Sequence, residues 1–141
     1  MSSLQEASEK IVEEFSYFED WMDKYNYIIE LGKTLPLIDP QYKTEEYLIE
    51  GCQSNVWLHA EYRDGKLYFT ADSDAIITKG IINLLIRVLS EREPEEILAA
   101  DLAYIDAIGL KKHLSPTRSN GLVSMIQQIK RYAIVYQAKK Q

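Results

Sequence analysis

A two-residue turn signal, Asp64-Gly65, places the strongest constraint on how this chain can fold. Asp-Gly is typical of a tight β-hairpin turn, because both central residues of that turn take a positive φ. The flanking runs 56–62 and 67–72 alternate between apolar and more polar residues, which is the period of a half-buried strand. With a two-residue loop, Val56 lies opposite Ser73. We therefore predict an antiparallel hairpin with one apolar face.

Helical patterns precede this hairpin. Residues 3–6 form a capping box, and apolar residues then recur at helical spacing as far as Gly32. This pattern predicts one long helix or two helices broken near Asp20, and Gly32 suits a C-terminal cap. Leu35-Pro36 and Asp39-Pro40 exclude helix from the connection that follows.

A central buried helix is predicted after the hairpin. Ser73 or Asp74 can serve as its N-cap. The segment that follows is apolar on most of its surface, so we expect it to be covered by other elements. Its polar residues form one stripe, which consists of Lys79, Asn83 and Arg87.

Shorter helical patterns complete the chain. Glu93-Pro94 predicts a helix with Pro near its first position, and residues 102–108, closed by Gly109, predict another. A polar segment of cations, a histidine and small residues follows over 110–121. An amphipathic C-terminal helix is expected from Leu122, and Lys139-Lys140 place the favourable charge at its end.

The predicted fold class is α+β, with a small antiparallel sheet of about three strands packed against several α-helices. Residues 47–49 supply the third strand of this prediction. A length of 141 residues with 46% hydrophobic residues suits one domain over residues 1–141.

Charge and hydropathy exclude several classes of partner. The net charge of −6 leaves no basic surface for nucleic acid. The most apolar stretch, residues 75–89, is too short and too polar to span a bilayer. Residues 1–6 lack the basic start and apolar run of a signal peptide. We therefore expect a cytoplasmic protein with no membrane or nucleic-acid partner.

The one cysteine of the chain, Cys52, lies in a polar loop rather than in an apolar pattern. Gly51 gives the backbone freedom before it, and Gln53 and Ser54 offer hydrogen-bonding groups after it. Reactive cysteines have such partly exposed polar surroundings, whereas structural ones sit among apolar neighbours. Cys52 is therefore either a reactive thiol or an inert surface thiol. If the central helix points its N-terminus at Cys52, the dipole favours the thiolate.

The sequence lacks the residues that several other kinds of functional site require. One cysteine and two histidines cannot form a closed zinc site, and no calcium loop is present, so no metal is expected. No glycine-rich phosphate loop occurs, and no cofactor is expected. A cysteine hydrolase would need a base near Cys52, for which only His59 and His113 are available.

Each residue around this chemistry also has a structural interpretation. His59 alternates with neighbours on the less apolar strand face and is better explained as a sheet-surface residue. His113 can cover a neighbouring helix, and Arg118 can bind a carboxylate. Asp74 is first of all a helix cap, and Trp57 belongs either to the core or to a contact surface.

Three segments together resemble one known family. The sequence is similar to the SufE family of sulfur acceptors, including its close paralogue CsdE, across nearly the whole chain. The matching segments are Gly51-Cys52-Gln53-Ser54 with Val56-Trp57-Leu58, Ser73-Asp74-Ala75 leading to Lys79-Gly80, and His113-Leu114-Ser115-Pro116 with Arg118, Asn120 and Gly121-Leu122.

The resemblance implies a fold related to the scaffold IscU and a role in iron-sulfur cluster assembly. Cys52 is the matching acceptor, which would take the terminal persulfide sulfur from a SufS-type or CsdA-type cysteine desulfurase. The chain would thereby stimulate the turnover of the desulfurase and deliver sulfur to a SufB-type scaffold. The chain is then a carrier rather than an enzyme, and the pyridoxal phosphate belongs to the partner. An IscU-like scaffold needs several cluster ligands, and this chain has one cysteine.

The residues also suggest how such a carrier works. The Cys52 loop must leave any sheltered position to reach a partner, with Gly51 as its hinge. Candidates for the surrounding contact surface are Trp57, Asp74, Lys112, His113 and Arg118. The sequence also allows a homodimer. The alternatives are a stand-alone thiol transferase and an interaction module in which Cys52 is dispensable.

Overall fold

The predicted hairpin forms around Asp64-Gly65 in the computed structural model, which describes residues 3–139. Strand β1 (Val56–Arg63) pairs antiparallel with β2 (Lys66–Ser73) in the predicted register. Asp64 and Gly65 have φ values of 53° and 82°, as the tight turn requires. Alternate residues of both strands are buried, so one face of the hairpin belongs to the core.

The third strand is reduced to a single bridge. Leu48 pairs with Trp57, and the Ile49 N–H donates to the Val56 carbonyl at 2.8 Å. A turn of 3-10 helix over Glu45–Tyr47 takes the preceding residues out of extended conformation. The sheet of the described chain therefore has two strands rather than about three.

The described residues, 3–139, form seven α-helices in addition to the hairpin. Of the two alternatives predicted for the N-terminal region, the break near Asp20 is confirmed, since its carboxylate accepts the Asp23 N–H at 2.9 Å and caps the second helix. The helices are α1 (Leu4–Ser16), α2 (Trp21–Gly32), α3 (Ile76–Leu89), α4 (Pro94–Ala99), α5 (Ala103–Ala107), α6 (Leu110–His113) and α7 (Pro116–Lys139).

The C-terminal helix starts earlier than Leu122. Helix α7 begins at Pro116, and the Ser115 hydroxyl accepts the Arg118 N–H at 3.2 Å. The segment 110–121 is therefore α6 and the first turns of α7. Lys139 ends the described helix. Of the Lys139-Lys140 pair that was expected there, Lys140 lies outside the described residues.

Helix α3 is the buried centre that the sequence predicts, and most of its residues are inaccessible to solvent. Its N-cap residue is Ala75, without a side-chain capping bond, so the prediction of Ser73 or Asp74 as the cap is wrong. The polar stripe joins α3 to three other elements, through Lys79 to Asp72 (3.3 Å), Asn83 to the Leu31 carbonyl (2.7 Å) and Arg87 to Glu14 (2.6 and 2.9 Å).

Two glycines let α2 and α3 pack at backbone distance. A Cβ atom on Gly80 would overlap the Ile28 carbonyl group, and one on Gly32 would lie 3.0 Å from the Lys79 Cβ. The predicted C-terminal cap at Gly32 is wrong, because Gly32 is the last helical residue and the cap, Lys33, has a right-handed φ of −72°. Gly32 is required for close approach instead.

The described residues offer no site for a membrane span or a metal. Among residues 3–139, no helix is long and apolar enough to cross a membrane. The same residues contain no group of three or more His, Cys, Asp or Glu side chains that could hold a metal ion.

We expect Gly80→Ala to destabilise the protein far more than Gly32→Ala. Alanine favours a helix by about 1 kcal/mol over glycine, so any loss must come from the α2–α3 contact. Overpacking costs about 1–3 kcal/mol and more where backbone is displaced, as at Gly80. Urea unfolding of both variants measures this difference, and equal midpoints would contradict the packing argument.

Candidate functional site

The Cys52 loop, residues 50–55, leaves and re-enters the fold at adjacent points. The bond from the Ile49 N–H to the Val56 carbonyl closes its base at 2.8 Å. Gly51 has a φ of +92°, which favours glycine and turns the chain toward α7. The loop therefore begins and ends beside the start of β1.

Asn55 fixes the second end of this loop. Its N–H and its side-chain amide donate to the two Asp74 carboxylate oxygens at 3.1 and 3.0 Å. Its carbonyl accepts from the Ser73 hydroxyl at 2.8 Å and from the Asp74 N–H at 3.3 Å. Asp74 therefore anchors the loop instead of capping α3.

Cys52 is half-buried against the first turns of α7. Its thiol donates to the Gly121 carbonyl at a sulfur–oxygen distance of 3.7 Å. Beside it lies a cleft of about 60 Å³, called here the thiol cleft. The lining residues come from the loop, from α3 and from α7, and they are Cys52, Gln53, Ser54, Thr78, Ile81, Thr117, Arg118, Gly121 and Met125.

The electrostatics of this site favour the neutral thiol. Burial raises the pKa of the Cys52 thiol above its ordinary value. A hydrogen bond donated by the S–H acts in the same direction, because it stabilises the protonated form. Thr78 and Ile81 place the first half of α3 beside the cleft, yet the expected shift toward thiolate does not result.

The structure brings together only part of the set predicted from sequence. Gln53, Ser54 and Arg118 line the thiol cleft with Cys52. Gly51 lies in the same loop on the side that faces α7, where a Cβ atom would clash with the Ser124 hydroxyl.

The other candidates lie away from the cleft. Trp57 has the Lys43 ammonium group 4.9 Å from its ring centre, on the open face of the hairpin. His113 stacks on Trp21 at 4.5 Å between ring centres and so connects α6 to α2, while Lys112 is exposed on α6. None of these three lines the thiol cleft.

Neither histidine is placed to act as a base for Cys52. His59 stacks on Tyr42 at 3.8 Å between ring centres, and burial lowers its pKa. His59 and His113 are both absent from the cleft lining. The structure supports the sheet-surface interpretation of His59.

Apart from Arg118, sequence reasoning assigned no site role to the residues that α3 and α7 contribute. Thr117, Gly121 and Met125 follow one another at intervals of four on α7 and so share a face. Ser115-Pro116 is a helix-start signal that could have placed this face. The positions of Thr78 and Ile81 depend on long-range packing and carry no local signal.

Comparison with known proteins identifies the relatives of this chain. The SufE family model, described as an Fe-S metabolism associated domain, matches residues 9–133. A SufE-like protein of Rhizobium meliloti is 40% identical over 127 residues, which cover 86% of this chain and 91% of that protein. One from Rhizobium etli is 38% identical over 132 residues, covering 90% and 89%.

More distant matches extend the comparison. SufE-like protein 1 of Arabidopsis thaliana, named as chloroplastic/mitochondrial, is 36% identical over 140 residues, 99% of this chain but 38% of that protein. The solution structure of a hypothetical protein from Thermus thermophilus superimposes with a TM-score of 0.73 at 21% identity, covering 92% of this chain and 96% of that one. It shares the fold. The cytoplasmic location of this chain stays a prediction.

We expect alkylation of Cys52 by iodoacetamide to titrate at a higher pH in the folded protein than in urea, because burial favours the thiol. The raised pKa stabilises the fold below the unfolded cysteine pKa of about 8.5, and this contribution is lost as pH rises through the folded value. Cys52→Ala should lack that loss. A folded-state titration at or below the unfolded value would refute the burial argument.

Proposed function

Because the chain belongs to the SufE family of Fe-S metabolism associated domains, we propose that its Cys52 accepts sulfur from a cysteine desulfurase and passes it to the machinery that assembles iron-sulfur clusters. The donor in this proposal is of the SufS or CsdA type, and the recipient is a SufB-type scaffold. The chain stimulates the desulfurase by removing its persulfide. The pyridoxal phosphate of the donor stays on that partner.

The transfer is a thiol exchange. The Cys52 thiolate attacks the terminal sulfur of the desulfurase persulfide, and a new S–S bond forms on Cys52 as the old one breaks. The desulfurase cysteine leaves as a thiolate, so the sulfur changes carrier without net oxidation or reduction. The proton of the Cys52 thiol must be released first, since the thiolate is the nucleophile.

The observation that carries this proposal is the setting of the single cysteine. Cys52 lies on a surface loop, yet its sulfur is half-buried beside a cleft of about 60 Å³. Small-molecule sites are typically about 300–1,000 Å³, so this cleft is too small for a separate substrate. It is large enough for one added sulfur atom, since a water molecule occupies about 30 Å³ in the liquid.

These features favour a carrier over the alternatives. A stand-alone thiol transferase needs a substrate site and a base, and neither histidine lines the thiol cleft. In a sheltered position, a persulfide is protected from oxidants and stray thiols. For transfer, the loop leaves the cleft, with Gly51 as its hinge and Arg118 at the mouth available to contact the partner. Trp57, Asp74, Lys112 and His113 remain proposed contacts on the surrounding surface.

Intact-protein mass spectrometry tests the acceptor role directly. After incubation with an active SufS-type desulfurase and L-cysteine, we expect the protein to gain one sulfur atom. Cys52→Ser and a thiol-blocked sample should gain none, although Cys52→Ser should still bind the desulfurase. Absence of the gain with a proven cognate desulfurase would refute the proposal, and retained stimulation by Cys52→Ser would favour the interaction module.

Gly121→Ala should affect the persulfide form of Cys52 but leave the reduced thiol nearly unchanged. The new Cβ would lie 3.6 Å from the Cys52 sulfur, an ordinary contact, so alkylation of the reduced protein should stay near the wild-type rate. The methyl group narrows the cleft where the added sulfur would lie, so the persulfide should be reduced by dithiothreitol several-fold faster.

The exposed variant Val123→Ala on the same helix is the matched control. Mass spectrometry over time gives the persulfide lifetime of each variant. Equal lifetimes for Gly121→Ala and wild type would show that the added sulfur does not occupy the thiol cleft.

A further inference from the structure

The two halves of the Cys52 loop are held very unequally. At the second end, four hydrogen bonds join Asn55 to Ser73 and Asp74. Within the described chain, residues 50–53 make one hydrogen bond to another element, the 3.7 Å contact from Cys52 to Gly121. A thiol is a weak donor, so this bond alone holds the sulfur loosely.

A second contact fixes the first half of the loop. The Ser124 side chain of α7 fills the space beside Gly51 that a Cβ atom at position 51 would occupy, so the two residues pack without room for another atom. Positions 121 and 124 are three apart on α7 and share a face. The same helix face therefore meets Gly51 with Ser124 and Cys52 with Gly121.

The size of the residue at position 124 consequently determines how far the loop can approach α7. Gly51 is already confined by its φ of +92° and cannot yield to a larger neighbour by rotating a side chain. A bulkier residue would lift Gly51 from the helix and draw the adjacent Cys52 away from the Gly121 carbonyl. With serine at position 124, the contact with Gly51 is a tight packing contact, and no strong bond joins the two residues.

We infer that Ser124 is a positioning residue for the acceptor thiol, which seats the first half of the Cys52 loop on α7 through its contact with Gly51. The contact sets the equilibrium between a seated loop, with the sulfur sheltered, and a lifted loop, with the sulfur accessible. This inference rests on the proposed function only in that lifting presents the sulfur to a partner. The seating itself is a property of the chain alone.

A double-mutant cycle on the free protein tests this inference. We expect Ser124→Val to raise the rate of Cys52 alkylation by about tenfold, because alkylation reports the lifted population. Ser124→Thr, a smaller enlargement, should give an intermediate rate. Gly51→Ala should also raise the rate, and adding Ser124→Gly to it should restore part of the seating. The φ strain at position 51 remains, so the restoration is incomplete.

Ala138→Val places the same β-branched side chain at an exposed position of α7 away from the Cys52 loop and controls for helix propensity. Urea midpoints of all variants establish that the fold is retained, and the alkylation profile of Ser124→Val should shift to lower pH as the thiol leaves its buried site. A wild-type alkylation rate in Ser124→Val and Ser124→Thr, or strictly additive effects of the two positions, would overturn the inference.

Sulfur loading of the same variants distinguishes this inference from the acceptor role. If the cycle shows coupling but the wild type never gains sulfur from an active desulfurase, the seating stands and the proposed function fails. If the wild type gains sulfur but positions 51 and 124 are uncoupled, the function stands and the role of Ser124 fails.

Discussion

The backbone contact between α2 and α3 is the constraint on which the rest of the structure depends. Gly80 meets the Ile28 carbonyl without any intervening side chain, and Gly32 meets the same turn of α3. This contact sets α3 at a fixed depth, where its apolar surface supports the buried face of the hairpin. Thr78 and Ile81 lie within two residues of Gly80, so the helix whose position is fixed by the glycine contact also forms one wall of the thiol cleft.

The site combines a reactive element with surroundings that suppress its reactivity. Burial and the Gly121 carbonyl favour the neutral thiol, although sulfur exchange requires the thiolate. In the proposed function this opposition is useful, because the free carrier reacts more slowly with unrelated disulfides and electrophiles than an exposed thiol would. Under the same proposal, the partner would supply the second condition for reaction, a surface on which the displaced loop meets an environment that favours the thiolate.

Local signals predicted the elements whose geometry is local. The hairpin register followed from Asp64-Gly65, because a two-residue turn leaves one pairing that buries the apolar face. Asp74 was misassigned because a short polar residue before a helix resembles a cap, whereas its carboxylate is occupied by Asn55, far away in sequence. Cys52 was predicted as the reactive residue from its neighbours and its motif. The cleft residues Thr78, Ile81 and Met125 were not predicted, since their position arises from packing between α3, α7 and the loop.

The closed base of the Cys52 loop limits how far its sulfur can travel. The chain is tied at Ile49 and Val56 by a 2.8 Å hydrogen bond, and Cys52 is the third residue after the first tie. Three residues of fully extended chain span about 10 Å. The Cys52 backbone can therefore lie no farther than that from Ile49, which the closed base holds beside the start of β1. A partner must then either hold its own sulfur close to its surface or admit the neighbouring end of the hairpin along with the loop.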